Sequence, residues 1–216
     1  MGYASKDIRN ILVAGHAGCG KTTLLSSMAV KYISRGYTVY GNIDLAVKGY
    51  IRIDNECVGR YDLHNCIILI DEGTLFADSR DFKNRSADMV QKISFFLLHR
   101  HYKSDIIIFT QQWDGLDKRI RVITDRVYYV YKGAFTGMWF TRYYRVPYGI
   151  IIPDPKKSDS EKLGEIVQGY CKPRFLQRVF GGWLYRPKYY RYFDSWERPP
   201  LPPLPSRYKP WDGEKG

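Results

Sequence analysis

The stretch NILVAGHAGCGKT, Asn10 to Thr22, decides the fold. Its first five residues are an apolar run of strand length that ends against Gly15, the pattern of a buried strand entering a tight turn. From Lys21 onward Leu24, Leu25, Met28, Ala29 and Tyr32 recur on one helical face, and Gly36 marks the stop. Between them Gly15 to Thr22 fits G-x-x-x-x-G-K-[ST], placed as that motif requires between a strand and a helix. Glycines there let backbone N–H groups turn inward around phosphate oxygens, and the helix N-terminus adds partial positive charge. The expected nucleotide-binding residues are therefore Gly15, His16, Ala17, Gly18, Cys19, Gly20, Lys21, Thr22 and Thr23. Lys21 is expected to reach the β- and γ-phosphates of ATP, and the Thr22 hydroxyl to ligate Mg²⁺.

Outward from this motif, strands and helices alternate. Thr38 to Asn42 is a strand candidate, with weaker ones at Ile51 to Ile53 and Cys57 to Val58. Cys66 to Ile70 (CIILI) and Asp105 to Thr110 (DIIIFT) are apolar on both faces, which places them centrally in a parallel sheet. Helical spacing runs from Ser86 to His101, and a short helix and a strand follow at Leu116 to Ile123 and Arg126 to Tyr131. This rhythm predicts an α/β fold: a P-loop NTPase with a mainly parallel central sheet flanked by helices.

The remaining candidate site residues sit at the carboxyl ends of these strands, where open α/β sheets bind ligands. Asp71 fits a second Mg²⁺ ligand, and Glu72 fits the group that polarises an attacking water. Gln111 follows a strand expected beside the phosphate loop and would orient water or sense the γ-phosphate. Arg100 is a candidate for reaching a neighbouring subunit's γ-phosphate, in competition with Arg80, Arg85, Arg119, Arg121 and Arg126. No N-K-x-D guanine motif occurs, which argues against a GTPase.

Proline distribution divides the chain. All 11 prolines lie from Pro147 to Pro210, so the expected boundaries are a core over 1–146, a basic aromatic appendage over 147–198 and a proline-rich tail over 199–216. Within the core Phe135 to Arg145 reads as a β-hairpin around Gly137, and within the appendage Ser160 to Tyr170 reads as a short helix. Phe180 to Trp196 carries eight aromatics interleaved with Arg186, Lys188 and Arg191. Three readings stay open for it: rings packed on the body, stacking on single-stranded nucleic acid, or a membrane interface.

The formal net charge is +12, and both sides of Pro147 are basic, which fits a polyanionic partner. No run approaches the ~18 apolar residues of a membrane span. The N-terminus shows neither a signal region nor a myristoylation pattern. The four cysteines form no CxxC pair, so reduced thiols are expected.

Gly15 to Thr22, Gly41 to Leu45, Ile68 to Glu72, and Leu98 to Arg121 with the stretch HRHYKSDIIIFTQQWDGLDKRIR together resemble the zonular occludens toxin-like ATPases. That family includes the assembly proteins of filamentous phages and is related to the HerA/FtsK type of DNA-translocating motors. The resemblance covers about residues 8–131. It implies an ATP-hydrolysing viral or prophage morphogenesis protein that packages or extrudes single-stranded DNA. It also implies a homo-oligomeric ring in the cytoplasm of an infected cell, peripheral at the inner membrane. Filamentous-phage members continue into a membrane helix, whereas here a proline tail follows, so a membrane or capsid partner is expected to be met through residues 180–216. A small-molecule kinase and a non-catalytic, nucleotide-dependent assembly adaptor are the alternative functions.

Overall fold

The computed structural model describes residues 8–73, 87–111, 115–132, 137–146 and 181–194. The expected helix at Ser160 to Tyr170, the proline-rich tail, and Arg80 and Arg85 lie outside them.

Eight strands form one sheet in the order β3-β2-β4-β5-β1-β6-β7-β8. These are β1 (Asn10–Ala14), β2 (Thr38–Gly41), β3 (Tyr50–Arg52), β4 (Cys66–Ile70), β5 (Asp105–Thr110), β6 (Arg126–Lys132), β7 (Phe140–Val146) and β8 (Gly182–Tyr185). From β3 to β6 every pairing is parallel, and β6–β7 and β7–β8 are antiparallel. The helices are α1 (Lys21–Ser34), α2 (Ala87–Leu98) and α3 (Lys118–Val122).

The uniformly apolar strands are buried along their whole length, as their composition requires. Alternate residues feed two core layers. Leu12, Ile68, Ile70, Ile106 and Ile108 meet Ile93 and Phe96 of α2 on one face. Ile11, Val13, Ile67, Leu69, Ile107 and Phe109 meet Leu24, Leu25 and Ala29 of α1 on the other. α1 stops at a left-handed glycine: Gly36 has φ +84°, its N–H donates to Ile33, and the Tyr37 N–H donates to Tyr32. This closes the exposed carbonyls of the last turn.

Two local expectations are corrected. Cys57–Val58 is not a strand, because Asn55–Cys57 forms a 3₁₀ turn in which the Cys57 N–H bonds the Asp54 carbonyl. The hairpin has different bounds: its first strand is β6, which pairs from Val127↔Val146 to Lys132↔Thr141, and Gly137 belongs to the turn before β7. The aromatic run of β6 continues far enough to pair with β7, leaving the residues around Gly137 as the connection.

β8 comes from the aromatic stretch and pairs with β7 over Phe140↔Tyr185 to Tyr143↔Gly182. The boundary expected at residue 146 thus falls between two strands of one sheet. Beyond β8 the chain returns over the sheet, where the Ala46 N–H donates to the Tyr192 carbonyl at 2.8 Å. A cavity of about 600 Å³ opens there between Asp44 to Ala46 and Arg191 to Asp194. Among the described residues, no helix is long and apolar enough to cross a membrane.

Candidate nucleotide site

The sheet order sets the site. β5 lies between β1 and β4, so the residue after β5 faces both the loop that leaves β1 and the acids that follow β4. The loop itself is shaped by close backbone approach. A Cβ on Gly15 would come within 2.6 Å of the Val130 carbonyl oxygen, and Gly20, at φ +98°, would drive one into the Thr141 hydroxyl. Gly20 is the N-cap of α1 and supplies no side-chain cap, and the first turn holds no acidic residue. The helix therefore starts with its N-terminal partial charge directed at the loop.

The Lys21 ammonium is buried and donates to the carbonyls of Gly15 and His16, both at 3.0 Å. His16, Ala17 and Gly18 form the exposed tip of the loop. Cys19 points its thiol into the α1-side core, where burial pushes its pKa up. Thr23 is likewise buried, so only its backbone remains for a ligand.

Thr22 donates its hydroxyl to Asp71 Oδ2 at 3.1 Å, which brings the two expected Mg²⁺ ligands together across the carboxyl edge of the sheet. Burial is the main cause that raises the Asp71 carboxyl above its ordinary value, and neighbouring Glu72 adds to it. The N–H of Glu72 and the hydroxyl of Thr22 act the other way. A buried carboxylate held beside a hydroxyl, with an ammonium near, is a donor set that fits a hard divalent cation and a phosphate chain. Among the described residues, no group of three or more His, Cys, Asp or Glu forms an alternative metal cluster.

Glu72 stands at φ +50°, a left-handed backbone that costs a non-glycine residue energy and marks a constrained position. Gln111 donates its side-chain amide to Glu72 Oε1. Arg100 does not join this assembly. It lies between α2 and β5 at the amino edge of the sheet, paired with Asp125 at 3.0 Å. Arg119 is engaged by Asp117, the N-cap of α3. Burial pushes the Asp117 carboxyl up, but the hydrogen bonds from Arg119 outweigh it and hold the group below the usual range.

Two residues at this edge had no assigned role from sequence. Asn42, at the end of β2, grips the backbone of Asp71 at two points: its Oδ1 accepts the Asp71 N–H at 2.7 Å and its Nδ2 donates to the Asp71 carbonyl at 2.9 Å. Thr141 of β7 donates its hydroxyl to the Cys19 carbonyl at 3.1 Å and so braces the phosphate loop from the antiparallel side of the sheet. Asn42 sits in the Gly41 to Leu45 stretch that carries the family resemblance, which was a signal without a role; Thr141 had none.

A phosphate-loop strand, an intervening strand and an acid-bearing strand, read with this site, define a P-loop NTPase-type ATPase fold. The family model described as Zonular occludens toxin (Zot) matches residues 51–174, more than half of the chain, and the chain belongs to that family. The match includes Asp71, Glu72 and Gln111 but begins after the phosphate loop. Among solved structures, the N-terminal domain of zonular occludens toxin from Neisseria meningitidis is similar at 19% identity and TM-score 0.55, covering 87% of this chain and 99% of that one. The genome packaging NTPase B204 from Sulfolobus turreted icosahedral virus 2, in complex with ATP-gammaS, is similar at 12% identity and TM-score 0.46, covering 64% and 92%. The flagellar accessory protein FlaH from Methanocaldococcus jannaschii is similar at 16% identity and TM-score 0.42, covering 65% and 78%. No curated protein matches the sequence.

Proposed function

We propose that this protein is an ATP-hydrolysing motor of viral or prophage morphogenesis that acts on single-stranded DNA as an oligomeric ring. The observation that carries the catalytic part is the contact of Thr22 with Asp71 at 3.1 Å, with Lys21 folded over the loop beside it. Membership of the zonular occludens toxin family and the basic charge of the chain support the substrate.

In this reading Thr22 and Asp71 hold Mg²⁺, which when bound offsets charge on the β- and γ-phosphates. Lys21 exchanges its two carbonyl partners for phosphate oxygens, and the loop N–H groups and the start of α1 bind the rest. Glu72 orients a water and takes its proton as the water oxygen attacks the γ-phosphorus and the bond to the leaving ADP oxygen breaks. Gln111 holds Glu72 through Oε1, which leaves Oε2 for the water. Asn42 keeps Asp71 aligned through its backbone. Arg100, remote in cis, acts in this scheme only across a subunit boundary.

The test is ATP turnover by the full chain with and without single-stranded DNA, alongside the mass of the assembled species. Stimulation by single-stranded DNA, abolished by Lys21→Ala or Glu72→Gln, is the expected result. Turnover indifferent to DNA in an assembled protein defeats the motor reading.

A further inference from the structure

The antiparallel end of the sheet carries a second surface. On β7 and β8 the residues Phe140, Arg142, Trp183 and Tyr185 share one face, because Phe140 is paired with Tyr185 and Arg142 with Trp183 in the register. The opposite face of β8 is accounted for: Leu184 packs into the core layer beside α1. Trp183 and Tyr185 remain 48% and 46% exposed, and Trp139, in the turn before β7, is 53% exposed.

These rings are held in place. Trp139 and Tyr185 lie nearly parallel, with planes 8° apart and centroids separated by 6.5 Å. The Arg186 N–H donates to the Trp139 carbonyl at 2.8 Å and its guanidinium to the Gly137 carbonyl at 2.9 Å, so the turn and the end of β8 are clamped together. The Arg142 guanidinium carbon lies over the Trp183 indole, 3.5 Å from its centroid. The result is a fixed array of exposed rings with one cation set among them.

From this array we infer that the β7–β8 face is a stacking platform for the bases of single-stranded DNA, with Trp139, Trp183 and Tyr185 taking the bases and Arg142 the phosphates. The inference rests on the motor reading for its choice of nucleic acid and extends it to a location. Base stacking on aromatic faces beside cations is the usual chemistry of single-strand binding, and it tolerates any sequence. Charge decides among partners. A lipid surface would bury the Arg142 guanidinium, which sits against the Trp183 ring on that face. Two copies meeting face to face would oppose like charges.

The experiment measures the affinity of the full chain for a fluorescently labelled single strand of about 16 nucleotides, the upper end of one such site. Trp183→Ala with Tyr185→Ala is expected to weaken binding at least about 10-fold, since each stacked base contributes on that scale. Trp183→Phe with Tyr185→Phe keeps the π-faces and is expected to stay near the parent affinity. Basal ATP turnover should be unchanged in both. Equal affinity in the alanine variant overturns the platform, as does a loss confined to binding of phosphatidylglycerol vesicles or to self-assembly. If the alanine variant does not fold, the parent protein decides: single-stranded DNA must quench its tryptophan fluorescence, and absence of quenching overturns the proposal. Binding without stimulated turnover sinks the motor reading and leaves the platform, whereas stimulation with no loss on substitution does the reverse.

Discussion

The two edges of the parallel sheet are built on opposite plans. At the amino edge charges are closed off against each other and the backbone: Asp105 accepts the Arg9 N–H at 2.8 Å, and Asp125 accepts the Asn10 N–H at 2.8 Å and the Arg100 guanidinium at 3.0 Å. At the carboxyl edge the charged groups have provisional partners. Lys21 rests on two loop carbonyls, and buried Asp71 is held by a hydroxyl and an N–H rather than a cation. One edge locks its charges to each other and to the backbone, and the other leaves them on uncharged partners.

The sharpest way to break this contrast is to remove charge from the carboxyl edge. Lys21→Ala or Glu72→Gln should lower ATP turnover by about 10²–10³ or more, the scale for losing one oriented electrostatic or proton-transfer group. Thermal midpoints should hardly move, and a collapse of the fold in either variant would erase the distinction. Asp125→Ala attacks the other edge. Leaving the Asn10 N–H without its acceptor should cost about 1–3 kcal/mol, read as a Tm lower by about 2–4 °C per kcal/mol, with turnover per folded molecule unchanged.

Asp71→Asn should separate stability from activity. Burial raises the Asp71 pKa in the folded chain, so its stabilising contribution is complete below the unfolded value and is lost as pH rises through the folded one. The ionised side chain thus costs stability at neutral pH. The amide variant should show a higher Tm without nucleotide while losing Mg²⁺-dependent turnover. Buried His99 at the amino edge has the opposite sign. Burial lowers its pKa, so its contribution is present above the unfolded value near 6.5 and declines as pH falls below it. A Tm profile between pH 7 and 5 should be flatter in His99→Gln. Arg100→Ala should have the smallest effect on stability, about 1 kcal/mol or less, because the Arg100 side chain is mostly exposed.

The interior strands were legible because burial on both faces leaves a local mark: CIILI and DIIIFT need no partner to be recognised as central. The tight turn between β1 and α1 was legible for a related reason, since glycine at Gly15 and Gly20 answers a backbone demand that one short window contains. What escaped depends on distant pairing. The β7–β8 ladder joins residues about 40 positions apart, and nothing in FTRYYRV names GWLY as its neighbour. Asn42 and Thr141 act through hydrogen bonds to backbone atoms, two at Asn42 and one at Thr141, which leave no spacing to detect. The aromatic stretch was read from composition with three outcomes open, and for its described residues the split follows the strand period: Leu184 goes inward, Trp183 and Tyr185 outward.

That period gives β7 a mechanical character. Thr141 on one side of the strand holds the Cys19 carbonyl, while Phe140 and Arg142, its immediate neighbours, face the other way toward β8's outer rings. A rigid strand loaded from one side displaces what is tied to the other. One hydroxyl therefore ties the loop to the strand that carries the aromatic face, and Thr141→Val should remove that tie while leaving both ends in place.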